Sequence, residues 1–162
     1  MSANPYAKFL GERDPIEVIA TTPARLAALT AGLSAEQADA PTAPGKWSTR
    51  QMVAHLADCE IAFGFRLRQA QSGVPLIQPF DQDVWAESYG RYRLTGALDC
   101  FSALRAWNVA FVKGLSEADK RRVVTHPERG EMTLWTIVET MAGHDLNHLE
   151  KLEEAHSQRG SE

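Results

Sequence analysis

Apolar residues recur at helical spacing in four long stretches of this chain, and the polar residues between them carry the signals that start and stop helices. The first predicted helix covers Pro15–Gly32, with Ile16, Ile19, Ala20, Leu26, Leu29 and Leu33 as its core stripe. Asp14-Pro15 supplies a cap and a first-turn proline, and Gly32 a stop. Pro23 lacks a backbone donor, so the pattern predicts a kink there, or a split with Thr22 as a second cap. Ser34-Ala-Glu-Gln37 reads as a capping box for one short turn, and Pro41–Lys46 as a loop. A second capping box, Ser48-Thr-Arg-Gln51, opens a helix to about Ala70 on Met52, Val53, Leu56, Ile61, Phe63 and Leu67. Residues 71–90, around Phe80 and Trp85, form a connection long enough to be a lid or a crossover. Thr95 is the expected cap of a third helix running to Gly114, with Leu98, Phe101, Leu104, Trp107, Val109 and Phe111 turned inward. Ser116–Asp119 forms a capped turn, Arg121–Met132 a short hairpin or extended loop, and Thr133 opens a last helix to about Ala155. The four long helices predict an all-α, four-helix bundle with long connecting loops, in a single domain over 1–162 with its core at about 12–156.

Composition narrows the function classes. The 162 residues are 44% hydrophobic and 23% charged, ordinary for a globular chain able to bury its own core. The formal net charge of −4 and the scattered basic residues argue against a nucleic-acid or anionic-membrane partner. Neither a signal peptide nor a membrane-length apolar run is visible, so a cytoplasmic protein is expected. Cys59 and Cys100 show no metal or redox spacing, and both read as small hydrophobes within helices.

The candidate chemistry lies in three histidines. His144 and His148 stand four apart in the last helix, which sets their rings about 40° apart around the axis and about 6 Å along it. His55 sits in the second turn of another helix. Three neutral imidazoles from two helices would bind one divalent ion and leave a position open for water or substrate. Asp58, one turn beyond His55, is the tentative catalytic residue, as general base or as an acceptor orienting a ligand imidazole. The plainer alternative is three polar histidines, each satisfied by a hydrogen bond. His126 and His156 fall outside the set and read as solvated. No cysteine nucleophile is expected near the triad, so any reacting thiol would come from a substrate.

The chain resembles the DinB/YfiT-like family of candidate metal-dependent enzymes. The resemblance is carried by Pro44-Gly-Lys-Trp47-Ser48-Thr-Arg-Gln51, His55-Leu-Ala-Asp58-Cys-Glu60, Pro79-Phe-Asp81-Gln-Asp83-Val-Trp85-Ala-Glu87, His126-Pro-Glu-Arg-Gly130-Glu131 and Gly143-His144-Asp-Leu-Asn-His148-Leu, in order over roughly residues 12–155. It implies a four-helix bundle, commonly a homodimer, holding one divalent metal ion through His55, His144 and His148. Nickel or zinc is the leading expectation for that ion, with manganese or iron as alternatives. The family's activities imply hydrolysis or transfer of a low-molecular-weight thiol onto a small-molecule substrate. A non-catalytic bundle that binds a metal or small molecule is the alternative. Asn147 and Lys151 stand where related sequences carry further histidines.

Overall fold

The computed structural model describes residues 3–159. Its helices are α1 (Ala7–Leu10), α2 (Pro15–Thr30), α3 (Ala35–Asp39), α4 (Thr49–Gln71), α5 (Gln82–Ala86), α6 (Leu94–Lys113), α7 (Glu117–Lys120) and α8 (Leu134–Arg159). A 3₁₀ turn spans Tyr89–Arg91, and strands β1 (Val123–His126) and β2 (Gly130–Thr133) form an antiparallel hairpin. The four long helices α2, α4, α6 and α8 make the bundle. Among the described residues no helix is long and apolar enough to cross a membrane.

Capping chemistry sets the starts of these helices. Asp14 caps α2 by accepting from the Ile16 amide, and reciprocal capping boxes at Ser34/Gln37 and Ser48/Gln51 open α3 and α4. Thr133 accepts from the Thr136 amide where α8 begins. Thr95 does not cap α6: the cap position is Arg93, without a side-chain bond, and Thr95 lies inside the first turn. The predicted interruption of α2 is absent as well, since the helix runs through Pro23. The carbonyl that the proline cannot serve belongs to Ile19, and it accepts instead from the Arg105 guanidinium of α6 at 2.9 Å. A tertiary contact thus replaces the lost helical bond.

Packing pairs α2 with α6 and α8, and α4 with the same two helices, so the chain crosses the bundle diagonally from α2 to α4 and from α6 to α8. Cross-helix partners reveal direction. Glu60 meets Arg105 and Arg68 meets Asn108, so α4 and α6 run parallel; Thr49 meets His156 and His55 meets His148, so α4 and α8 run antiparallel. Parallel neighbours need a crossover, and residues 72–93 supply it. Arg66 near the end of α4 holds the Gln78 carbonyl, and Arg50 near its start holds those of Tyr89 and Tyr92. The crossover is also tied to the hairpin, with Ile77 donating to the Thr125 carbonyl at 3.0 Å.

Two apolar clusters fill the interior, one around Ile19, Leu67, Leu134 and Met141, the other around Leu26, Leu56, Phe101 and Leu152. The inward stripe of α6 differs from the expected one: Ala97, Phe101, Arg105, Asn108 and Val112 are buried, while Trp107 is 69% exposed. Ala20 and Ile61 are likewise exposed. Arg105 turns inward because a buried ionic network needs it. It bonds both carboxylate oxygens of Asp145 and one of Glu60, while Thr22 donates to Asp145 at 2.8 Å and Asn108 to Glu60 at 2.8 Å. All four long helices therefore meet at one charge cluster.

Gly64 lets α6 approach. A Cβ at that position would lie 2.7 Å from both side-chain polar atoms of Asn108. Alanine normally outranks glycine in a helix by about 1 kcal/mol. Here Gly64→Ala is expected instead to lower stability by about 1–3 kcal/mol in thermal unfolding, because Asn108 must leave its partners. An Asn108→Ala background should remove most of that loss; an equal loss in both backgrounds would refute this account.

Candidate metal centre

Antiparallel packing of α4 on α8 brings His55, His144 and His148 to one point. Their ring centroids are 4.5–5.2 Å apart, and one ligand atom from each lies within 4.8 Å of the others. Nε2 of His55 faces Nε2 of His144 at 3.1 Å. All three side chains are buried, with exposures of 1, 4 and 7% for His55, His144 and His148.

Aromatic rings surround the cluster. Trp47 packs on His55 with centroids 4.9 Å apart, while Tyr6 and Phe63 meet His144 edge-on. Burial disfavours the imidazolium, so His55 is pushed down to about 4 and His148 to about 3, and His144 falls well below its ordinary value. Mutual repulsion among the rings and the nearby Lys151 adds to the effect. The three rings are therefore neutral at pH 7, the form that binds metal. Among the described residues, Nδ1 of His144 and Nδ1 of His148 are buried with no hydrogen-bond partner. The protein satisfies neither ring completely and leaves nitrogen capacity for an external partner, so the donor set fits a divalent ion.

His55 and His148 line a cavity of about 460 Å³ whose walls include Tyr6, Trp47, Gln82 and Lys151. Gln82 comes from α5, so the crossover reaches the cavity wall. Phe80 stacks against Trp85 at 4.5 Å and lies under the Arg66 guanidinium, anchoring that segment to the bundle. Asp81 caps α5.

Asp58 does not join the triad. It lines a separate groove with Arg91, Arg93, Asp99 and Cys100, between α4 and the start of α6. A step of three residues falls about 60° short of a full helical turn, enough to swing its carboxylate toward α6 and away from the histidine cavity. Glu154 is the carboxylate among that cavity's lining residues.

Several neighbours of the triad were not legible beforehand. Tyr89, delivered by the crossover, places its hydroxyl 3.3 Å from Nδ1 of His55. Tyr6 arrives with the amino-terminal segment, which crosses α8 so closely that a Cβ on Gly143 would lie 2.5 Å from the Tyr6 carbonyl oxygen. A glycine beside His144, far from either helix end, was the available signal for that approach. Cys59 stands against the expectation of no cysteine near the triad, since its Sγ lies 3.4 Å from Nε2 of His55 and 3.9 Å from Nε2 of His144. Burial pushes its thiol pKa up, with nearby carboxylates, Asp58 first, adding to the shift. Cys100, by contrast, is exposed. His126 is buried and accepts from the Glu128 amide, and His156 is half-buried against Thr49, so neither is the solvated residue expected.

Comparison with known proteins places these features in a wider set. The family model described as the DinB superfamily matches residues 19–152. A candidate metal-dependent hydrolase of Oceanobacillus iheyensis is 32% identical over 119 residues, covering 72% of this chain and 69% of that protein. YfiT of Bacillus subtilis, also named a candidate metal-dependent hydrolase, is 26% identical over 149 residues, covering 90% and 84% of the two chains. The solved structure of YfiT superposes with a TM-score of 0.84 at 25% identity, covering 90% of this chain and 86% of that one, and is described as having an unusual four-helix-bundle topology.

Proposed function

This chain belongs to the DinB superfamily, and on that premise we propose that it is a metal-dependent hydrolase whose single divalent ion is held by His55, His144 and His148. The observation that carries the reading is the convergence of three buried, neutral imidazoles beside an open cavity. A bound divalent ion would supply Lewis acidity, which activates water or a thiol near neutral pH. Nickel or zinc suits an imidazole-rich set best.

The chain's own residues do the rest. The Tyr89 hydroxyl stands 3.3 Å from Nδ1 of His55, and accepting the Nδ1 proton there would leave Nε2 with its lone pair toward His144 and an ion. Trp47, Phe63 and Tyr6 exclude water from the backs of the rings. Lys46 and Lys151 on the cavity wall favour a substrate carrying negative charge, while Trp47 and Met52 hold its apolar part. Glu154, the carboxylate that lines this cavity, is the proton acceptor we propose here in place of Asp58, which lines a separate groove. The same arrangement suits a low-molecular-weight thiol as the entering group, in a thiol S-transferase variant of the activity. Exposed Ile61, Phe65 and Trp107 offer apolar surface for a homodimer.

Elemental mass spectrometry of the purified chain tests the assignment. About one nickel or zinc per chain is expected in the wild type, falling roughly tenfold or more in His55→Ala and His148→Ala, with helical circular dichroism retained. Hydrolysis of negatively charged model substrates should disappear with the metal. A wild type that takes up no stoichiometric divalent ion after reconstitution overturns the reading.

A further inference from the structure

We propose that Asn147 and Lys151 form the substrate-recognition pair of the histidine cavity, and that the group they hold is a single carboxylate on the substrate. The inference rests on the metal-dependent reading and deepens it by naming the substrate class. Asn147 is 8% exposed and lines the cavity beside His148. Its carboxamide has no hydrogen-bond partner among the described residues. A buried carboxamide without a partner costs stability, and asparagine is a poor helix former, so neither packing nor the helix accounts for it in the middle of α8. A ligand in the cavity would satisfy it.

Lys151 follows Asn147 by four residues, which places it one turn further along the same face of α8. Its charge reaches all three imidazoles and acts on each against the protonated form. A side-chain amide N–H and an ammonium one turn apart can donate to the two oxygens of one carboxylate. The rest of the wall sets the charge of that group. Lys46 adds a second cation and Glu154 one carboxylate, so the wall carries one net positive charge and matches a monoanion better than a dianionic phosphate. Glu154, seven residues past Asn147, lies on the same stripe two turns on, and its repulsion favours the end of the stripe at Asn147. Lys151 is also three residues past His148, so the carboxylate is held about one helical turn from that ring, a few bonds from the group that meets the ion. A carboxylate-bearing amide or ester, with its apolar part against Trp47 and Met52, has that shape, and a cavity of about 460 Å³ encloses a molecule of this size.

Hippurate, which carries one carboxylate beside a benzoyl amide, is the probe, with its neutral carboxamide (hippuramide) and inorganic phosphate as comparisons. Each is titrated into the zinc-loaded chain and followed by calorimetry and by the side-chain amide signals of Asn147 in nitrogen-15 NMR, identified by their absence in Asn147→Ala. Hippurate should shift those signals and bind roughly tenfold or more tightly than hippuramide or phosphate. Asn147→Ala and Lys151→Met should each weaken hippurate roughly tenfold, and Asn147→Asp, of the same shape but negatively charged, by more. All three variants should keep about one zinc per chain, and Asn147→Ala should unfold no earlier than the wild type, since alanine is the better helix former. Hippurate that does not bind, binds no better than hippuramide, or keeps its affinity in Asn147→Ala would overturn the recognition pair and leave the three-histidine centre standing. Tighter binding of phosphate than of hippurate would overturn the carboxylate assignment. A wild type that takes up no zinc would instead overturn the three-histidine reading, and the substrate role of the pair with it.

Discussion

Arg105→Ala is expected to cost about 3–5 kcal/mol of folding stability in urea denaturation, the largest single effect foreseen for this chain. Arg105 is 2% exposed and donates to Asp145, Glu60 and the Ile19 carbonyl. Truncation would leave two carboxylates buried without their cation and one helical carbonyl without a donor. Uncompensated burial of charge, rather than lost attraction, dominates the cost. The triple variant Arg105→Met, Glu60→Gln, Asp145→Asn should therefore recover most of the loss, since no formal charge remains to be buried. A loss below about 1 kcal/mol for Arg105→Ala would mean that the carboxylates are neutralised by another route. The network also bears on the site. Asp145 adjoins His144 and Glu60 adjoins Cys59, so the ion pairs hold the rotation of α8 and α4 that brings the imidazoles together.

The metal-free protein should lose stability steeply on acidification. An unfolded imidazole titrates near 6.5, whereas folded His55 is held at about 4 and His148 at about 3, chiefly by burial. Between those values the unfolded chain takes up protons that the folded chain refuses. Stability is therefore fully present above about pH 6.5 and is lost progressively as pH falls through the folded values. His55 alone contributes a loss on the order of 3 kcal/mol. Urea midpoints of chelator-treated protein between pH 7.5 and 4 would reveal the slope at roughly that size. His55→Ala and His148→Ala should flatten it. A wild-type midpoint that does not move over that range would show that the rings are not buried neutral.

Much of the architecture was legible in local pattern. The capping boxes at Ser34 and Ser48 lie where Ser/x/x/Gln spacing put them, and each long helix begins within two residues of its expected start. These features depend on groups three or four residues apart, whose geometry is the helix itself. Expectations that depended on the rest of the molecule fared differently. Pro23 does not break α2, because its carbonyl partner is supplied from α6. Trp107 faces outward and Arg105 inward, although hydropathy alone argues the reverse.

The candidate site divides along the same line. The register of His144 with His148, and of His55 with Cys59, is set by helical periodicity and can be read from the chain alone. Whether the two pairs face each other depends on the rotation and direction of α4 against α8, which core packing and the buried Arg105 network decide. Tyr89 and Tyr6 enter through contacts 34 and 138 residues distant in sequence, from a crossover that parallel helices require and a segment that a glycine admits. By itself the sequence determined the helices, their caps and the spacing of donor groups along each one, because those follow from short-range backbone geometry. Only the tertiary structure decided which donors come together and which carboxylate lines the cavity they share, because such neighbours are brought together by burial and charge pairing across helices far apart in the chain.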